Sequence, residues 1–225
     1  MAGPETDPEA ELAKLLDRLM QQVVLGKAHL SIWRGLANAL GSEPDVAHAA
    51  PGFFGLTLQA HLEASLLYAA RLFDTHPEAV TVKSLLRLAE ENASRFENAR
   101  PEEVVKSVVQ GTSDIRSQET SLSAVKTRRD KALAHLDPKT ISDPGKVGEQ
   151  SKLTIKELED LFGTAEKILN NMSAKYRGVT SFTELLDKDD YENVVRLVKL
   201  AKRTQKEEFE REFGPLPYLP KEKSG

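Results

Sequence analysis

Apolar residues recur along this chain with helical spacing almost from end to end. Leu12, Leu15, Leu16, Leu19, Met20, Val23 and Val24 follow the i, i+3, i+4, i+7 rhythm of a one-faced helix. The rhythm resumes after Gly26 with Leu30, Trp33, Ala37 and Leu40. A glycine in a helix interior costs about 1 kcal/mol, so Gly26 predicts either a kink or close packing against a neighbour. Gly41-Ser-Glu-Pro44 closes the element. The next helix is expected from Pro51 to about Asp74. It is apolar on most sides (Phe54, Leu56, Leu58, Leu62, Leu66, Leu67, Leu72, Phe73), and such a helix belongs at the centre of a bundle. His61, Glu63 and Arg71 are its polar exceptions, expected to be buried.

Thr81 reads as the N-cap of a short helix through Leu85, Leu86 and Leu88. Pro101 suits the first turn of another, carrying Val104, Val105, Val108 and Val109 and interrupted near Gly111. A long helix is predicted from about Asp114 to His135 or Leu136, stopped by Asp137-Pro138. Residues 140–152 are polar and read as a loop. Thr154 with Glu157 forms a capping box for a helix through Leu158, Leu161, Phe162, Ala165, Ile168, Leu169 and Met172. A short turn at Phe182–Leu186 precedes a last helix near Tyr191 to Phe213. That helix is amphipathic through Val194, Val195, Val198 and Ala201, then mostly charged. Alternating strand patterns and internal repeats are missing from the sequence. The expectation is an all-α chain: a compact up-and-down helical bundle over residues 8–176, a C-terminal helical extension over 177–213, and a proline-rich tail over 214–225.

Composition narrows the chemistry. The 225 residues are 40% hydrophobic and 29% charged, ordinary for a globular chain. The sequence holds no cysteine, which removes disulfides, thiolate metal sites and a cysteine nucleophile. His29, His48, His61, His76 and His135 are scattered, with no i, i+4 pair and no H-E-x-x-H, so neither metal nor cofactor is expected. The acidic N-terminus lacks the apolar core of a secretory signal, and no charge-free stretch reaches the ~20 residues of a membrane span. The expected location is cytoplasmic. The net charge of −4 means that any nucleic-acid contact must come from a local basic face. One stretch leans that way: Arg116 to Lys139 holds six basic and three acidic residues.

Within that stretch one seam breaks its own pattern. Ile115, Leu122, Arg129 and Leu136 lie seven apart, interleaved with Gln118, Val125 and Ala132. An arginine in an apolar seam needs partners for its five donors. Two readings stay open: Arg129 pairs internally with Glu63 or Asp74, or it is presented to an anion. His135 follows on the same predicted helix. At 3.6 residues per turn Arg129 lies about 120° from His135, so joint action needs the helix to tighten or end near Ala134. On a regular helix Arg128 shares the side of His135 instead.

The stretch Arg129-Asp-Lys-Ala-Leu-Ala-His135 resembles the arginine–histidine motif of HEPN domains. Ile32-Trp-Arg-Gly35, Phe53-Phe-Gly-Leu-Thr57 and Ala70-Arg-Leu-Phe-Asp74 extend the resemblance to the abortive-infection U-type group, over roughly residues 10–175. It implies a helical bundle that forms a homodimer, with the motifs of two protomers facing one cleft. It also implies a metal-independent endoribonuclease of a phage-defence or toxin–antitoxin type. In it Arg129 and His135 are catalytic, Asp130 orients one of them, and Arg128, Glu63, Arg71 and Asp74 support the site. The chemistry is coherent. RNA brings its own nucleophile, the 2′-OH. A histidine with a pKa near ~6.5 moves protons, worth typically about 10²–10⁴ in rate, and an arginine holds the phosphate. The alternative is a non-catalytic HEPN module that binds RNA or an antitoxin-like protein. A third reading is a structural bundle with Arg129 satisfied internally.

Overall fold

A computed structural model describes residues 8–130, 152–181, 183 and 189–214. The described residues form eight α-helices, one short 3-10 turn and no strand: α1 (Pro8–Ser42), α2 (Pro44–Ala49), α3 (Pro51–Leu72), α4 (Val82–Glu91), the turn Ala93–Arg95, α5 (Pro101–Ser117), α6 (Glu119–Arg128), α7 (Ile155–Arg177) and α8 (Tyr191–Phe213). The fold is all-α, as the periodicity predicts. The expected loop at 140–152 and turn at 182–186 lie almost wholly outside the described residues, as does most of the tail.

α1 runs through Gly26 unbroken, because the missing side chain is filled by a neighbour. A Cβ at Gly26 would stand 2.3 Å from Cε1 of Phe162 on α7. The Ser65 hydroxyl of α3 donates to the Gly26 carbonyl at 3.1 Å. Ser65 opposes Gly26 while Phe54 joins Leu36 and Leu40, so α1 and α3 run antiparallel. α7 is also antiparallel to α1: Arg34 pairs with Glu159, Lys27 with Glu166 at 2.8 Å, and Asp17 with Arg177 at 2.8 Å. The main core lies among these helices, α4 and α5. It includes Leu16, Leu19, Val23, Leu72, Leu85, Val104, Leu161, Phe162 and Leu169. Burying each such side chain is worth roughly 1.5–3 kcal/mol.

Both predicted caps form. Thr81 accepts the Ser84 amide and Ser84 returns the bond, and Thr154 exchanges the same pair of bonds with Glu157. Gly178 closes α7 in the left-handed conformation at φ 71°, the usual use of glycine at a helix end. Lys27 Nζ also donates to the buried Thr183 hydroxyl at 2.6 Å, tying the segment after α7 back to α1.

Two expectations are corrected. The break expected near Gly111 lies instead at Gln118. Gly111 stays helical, packed against Leu86 and Ile168. The Ser117 hydroxyl takes the Asp114 carbonyl at 2.7 Å, competing with the helix ladder, and Gln118 leaves helical angles at φ −99°, ψ 11°. The Ile115–Leu122–Val125 seam still faces the core across the break. The second correction concerns α3, which is not central along its whole length. One face of its first turns is uncovered, with Phe53 60% and Leu56 70% exposed, and only its second half enters the main core, while Phe54 joins a smaller cluster with Leu36 and Leu40. Apolar periodicity marks a face that avoids water, and it does not say what covers that face.

α8 has the predicted bounds and buries no residue fully. Tyr191, Val195 and Val198 pack on a small second core of Leu36, Leu40, Val46 and Phe54. Leu197 and Leu200 remain 60% exposed. None of the described helices is long and apolar enough to cross a membrane.

Candidate functional site

Arg129 follows the last turn of α6. Val125, one turn earlier, is buried and Leu122 is partly so, which points the same face of α6 inward at Arg129. Arg129 keeps helical angles at φ −57°, ψ −51°, and from it the backbone opens into a wider π-type turn. Such turns are rare and occur often at functional sites. Joint action of Arg129 and His135 needs the helix to tighten or end near Ala134. The described departure from regularity is a widening that begins at Arg129. Ala134 and His135 lie outside the described residues.

Two carboxylates hold the guanidinium. Nη1 donates to Asp74 Oδ2 at 2.8 Å and Nε to Asp130 Oδ1 at 2.7 Å. Asp74 sits just beyond α3, where Phe73 ends the helix. Its other oxygen, Oδ1, accepts the His76 amide at 3.0 Å in an Asx turn, so the carboxylate is fixed from both sides. Partial burial pushes the Asp74 carboxyl up. The backbone N–H of His76 and the Arg129 charge outweigh it, and the net shift is down. Asp130 in turn raises the Arg129 pKa through its hydrogen bond, against partial burial. Both groups are therefore charged across the neutral range.

The Arg129 side chain is 25% exposed, and its open surface lines a cleft of about 240 Å³ between α3, α4 and α6. Ala70, Phe73, Leu122 and Val125 give the cleft an apolar floor. Lys83, Lys126 and Glu119 stand at its rim. The internal-pairing reading of Arg129 is thus met at Asp74, but the pair faces a cleft and is not sealed in the core.

The other expected site residues separate. Asp130 joins Arg129 directly. Glu63 accepts the Gln59 amide at 2.8 Å one turn back on α3 and makes no bond to Arg129. Arg71 is exposed, not buried, and its guanidinium stacks 5.7 Å from the Tyr68 ring centre. It points away because α3 turns its last core residues, Ala70 and Leu72, inward on either side. Arg128 ends α6 and does not line the Arg129 cleft.

Sequence reasoning missed Lys83 and Lys126. Neither residue breaks a pattern on its own helix, and only the fold, which sets α4 and α6 on either side of one cleft, brings them to one rim. It also missed a histidine pair. His29 on α1 and His61 on α3 approach with Nδ1 atoms 2.9 Å apart, and His29 stacks on Tyr68. Burial lowers both pKa values, and the neighbouring His61 charge lowers that of His29 further. No group of three or more acidic or histidine residues suited to a metal ion occurs among the described residues.

This site lies within a stretch matched by a family model. HEPN_AbiU2, described as AbiU2, matches residues 9–194, from the start of α1 into α8. The chain belongs to the AbiU2 family of HEPN domains. Comparison with curated proteins and with solved structures gave no match. As an AbiU2 HEPN domain the chain is of the abortive-infection type.

Proposed function

We propose that this AbiU2 HEPN domain is a metal-independent endoribonuclease acting as a homodimer. One observation carries the reading: Arg129 is held by Asp74 and Asp130 at the edge of a cleft whose rim also bears Lys83 and Lys126. Two charge-assisted bonds fix the guanidinium before substrate arrives, which is the preorganisation that phosphate stabilisation needs. The two bonds use two of its five donors. In the proposed reaction the ribose 2′-OH attacks the adjacent phosphorus and the 5′-oxygen leaves. His135 moves the proton, and Arg129 stabilises charge on the phosphoryl oxygens. Asp130 and Asp74 position Arg129 and touch no substrate.

The homodimer is supported by the uncovered apolar start of α3. A second reading, a module that binds RNA or an antitoxin-like protein without cutting, is favoured by the same two carboxylates, which neutralise much of the arginine's charge.

The test uses purified wild type, His135→Ala and Arg129→Ala with a mixed RNA pool in EDTA, after circular dichroism has shown equal helicity. Cleavage by the wild type alone is the expected result. Equal cleavage by His135→Ala would remove His135 from the reaction. Salt-sensitive binding by all three without cleavage would establish the binding module.

A further inference from the structure

Lys83 belongs to three neighbouring hollows at once. It stands on the rim of the Arg129 cleft with Lys126. It lines the hollow behind the Asp74–Thr81 turn, and the groove between α4 and α5. Arg87, one turn further along α4, lines the second and third of these. Residues four apart on a helix lie on one face, with Cβ atoms about 5–6 Å apart. The three hollows therefore adjoin one another at Lys83, and cations stand along them from Lys126 through Lys83 to Arg87.

These three cations differ from many others on the molecule. Lys27, Arg34, Arg100, Lys156, Lys167, Arg177 and Lys199 each pair with a carboxylate. Lys83, Arg87 and Lys126 are all exposed, and none forms an ion pair with a described residue. Arg87 does so although Glu90 and Glu91 follow it by three and four residues on α4. The acidic groups along the path are Asp74, held by Arg129, together with Glu90 and Glu119.

From this arrangement we infer that Lys126, Lys83 and Arg87 form a phosphate track, along which a single RNA strand runs from Arg129 across α4 toward α5. The inference rests on the RNA reading above and adds the direction and footing of the strand. The track supplies affinity and register, not chemistry: each ammonium or guanidinium meets a backbone phosphate, and the sequence of the bases is not read by it. A single strand is proposed because the three cations succeed one another from hollow to hollow, with Lys83 and Arg87 on one face of α4. The track also reconciles RNA binding with a net charge of −4, since the charge that matters is local.

The experiment measures binding of a short fluorescein-labelled single-stranded RNA of mixed sequence across a salt series. Each phosphate contact contributes about −0.7 to the slope of log K against log salt. Lys83→Ala/Arg87→Ala/Lys126→Ala is expected to flatten the slope by about two and to weaken binding at low salt by at least about tenfold. The charge-keeping variant Lys83→Arg/Arg87→Lys/Lys126→Arg is expected to keep the wild-type slope. Removing the same formal charge from α8, with Lys202→Ala/Lys206→Ala/Arg211→Ala, is expected to change the slope by less than half as much. Wild-type binding with an unchanged slope in the α4/α6 variant overturns the track and leaves the ribonuclease reading standing. Equal losses from the two triple-alanine variants also overturn it, since net charge alone then accounts for binding. Failure of the wild type to bind RNA at all overturns both.

Discussion

Asp74 and Arg129 meet at 2.8 Å although 55 residues separate them, and the second oxygen of the same carboxylate is held by the His76 amide. The carboxylate therefore does two jobs: it fixes the turn that follows α3 and it holds Arg129. Asp74→Asn keeps an oxygen for the Asx turn but loses the charge. With the pair about a quarter exposed, a loss of about 1 kcal/mol is expected. The sign with pH follows from the lowered Asp74 pKa. Its contribution is present above the unfolded value near ~3.9 and is lost as pH falls through the lower folded value. Urea unfolding at neutral pH should therefore separate wild type from variant, and the gap should close in strong acid. Equal stability at neutral pH would show that the pair is not stabilising.

The His29–His61 contact gives a second titration with the window elsewhere. An Nδ1···Nδ1 hydrogen bond needs one nitrogen protonated and the other bare, so a doubly charged pair cannot keep it. Both folded pKa values are lowered, by burial first, so the unfolded chain binds more protons. Stability is then complete above the unfolded value of about 6.5, and it falls as pH drops below that value through the lowered folded ones. Arg71 stacks on the same Tyr68 ring that His29 meets. Denaturation midpoints between about pH 8 and about pH 5.5 should decline in the wild type and decline less in His61→Gln. Parallel declines would place the pH sensitivity elsewhere.

Two glycines should respond to alanine with opposite signs. Gly163 lies in the interior of α7 with no atom near the position of a Cβ, so Gly163→Ala should stabilise by about 0.5–1 kcal/mol. Gly26 is also helical, but its Cβ would meet the buried Phe162 ring at 2.3 Å and Tyr68 Cβ at 3.0 Å. Overpacking of this kind costs typically about 1–3 kcal/mol, enough to outweigh the helix-propensity gain. Thermal melts of the two variants decide the point, and a stabilised Gly26→Ala would contradict the close packing of α1 on α7.

Local features were legible in the sequence and distant ones were not. The Thr81 and Thr154 caps and the bounds of α8 follow from residues within a turn or two of each other. An arginine at the seam position 129 calls for a carboxylate, and Asp74 is one of the two acidic residues of α3 and its end that the pattern offers. The helix break at Gln118 was misplaced because Gly111 looks like a breaker when its role is to let Leu86 and Ile168 approach. The histidine pair, and the meeting of Lys83 with Lys126, depend on which helices pack together. No spacing along the chain encodes that. Periodicity also overstated the burial of α3, since it ranks faces by polarity and carries no information about a partner.

That uncovered face leads to the last prediction. Phe53 and Leu56 expose 60% and 70% of their surface at the start of α3, where the sequence reads as core. Leaving a large apolar side chain in water forgoes roughly 1.5–3 kcal/mol, and adjoining residues of this kind on a surface mark contact sites. If a second copy of the chain covers them, Phe53→Glu with Leu56→Glu places four carboxylates in one interface and should yield a monomer. Sedimentation velocity at micromolar concentration reads the result directly. The expected outcome is a dimer for the wild type and a monomer of unchanged helicity for the double variant. A wild-type monomer would remove the homodimer from the proposal. A double variant that stays dimeric would move the interface away from the start of α3, with the exposed Leu197 and Leu200 of α8 as the next surface to change.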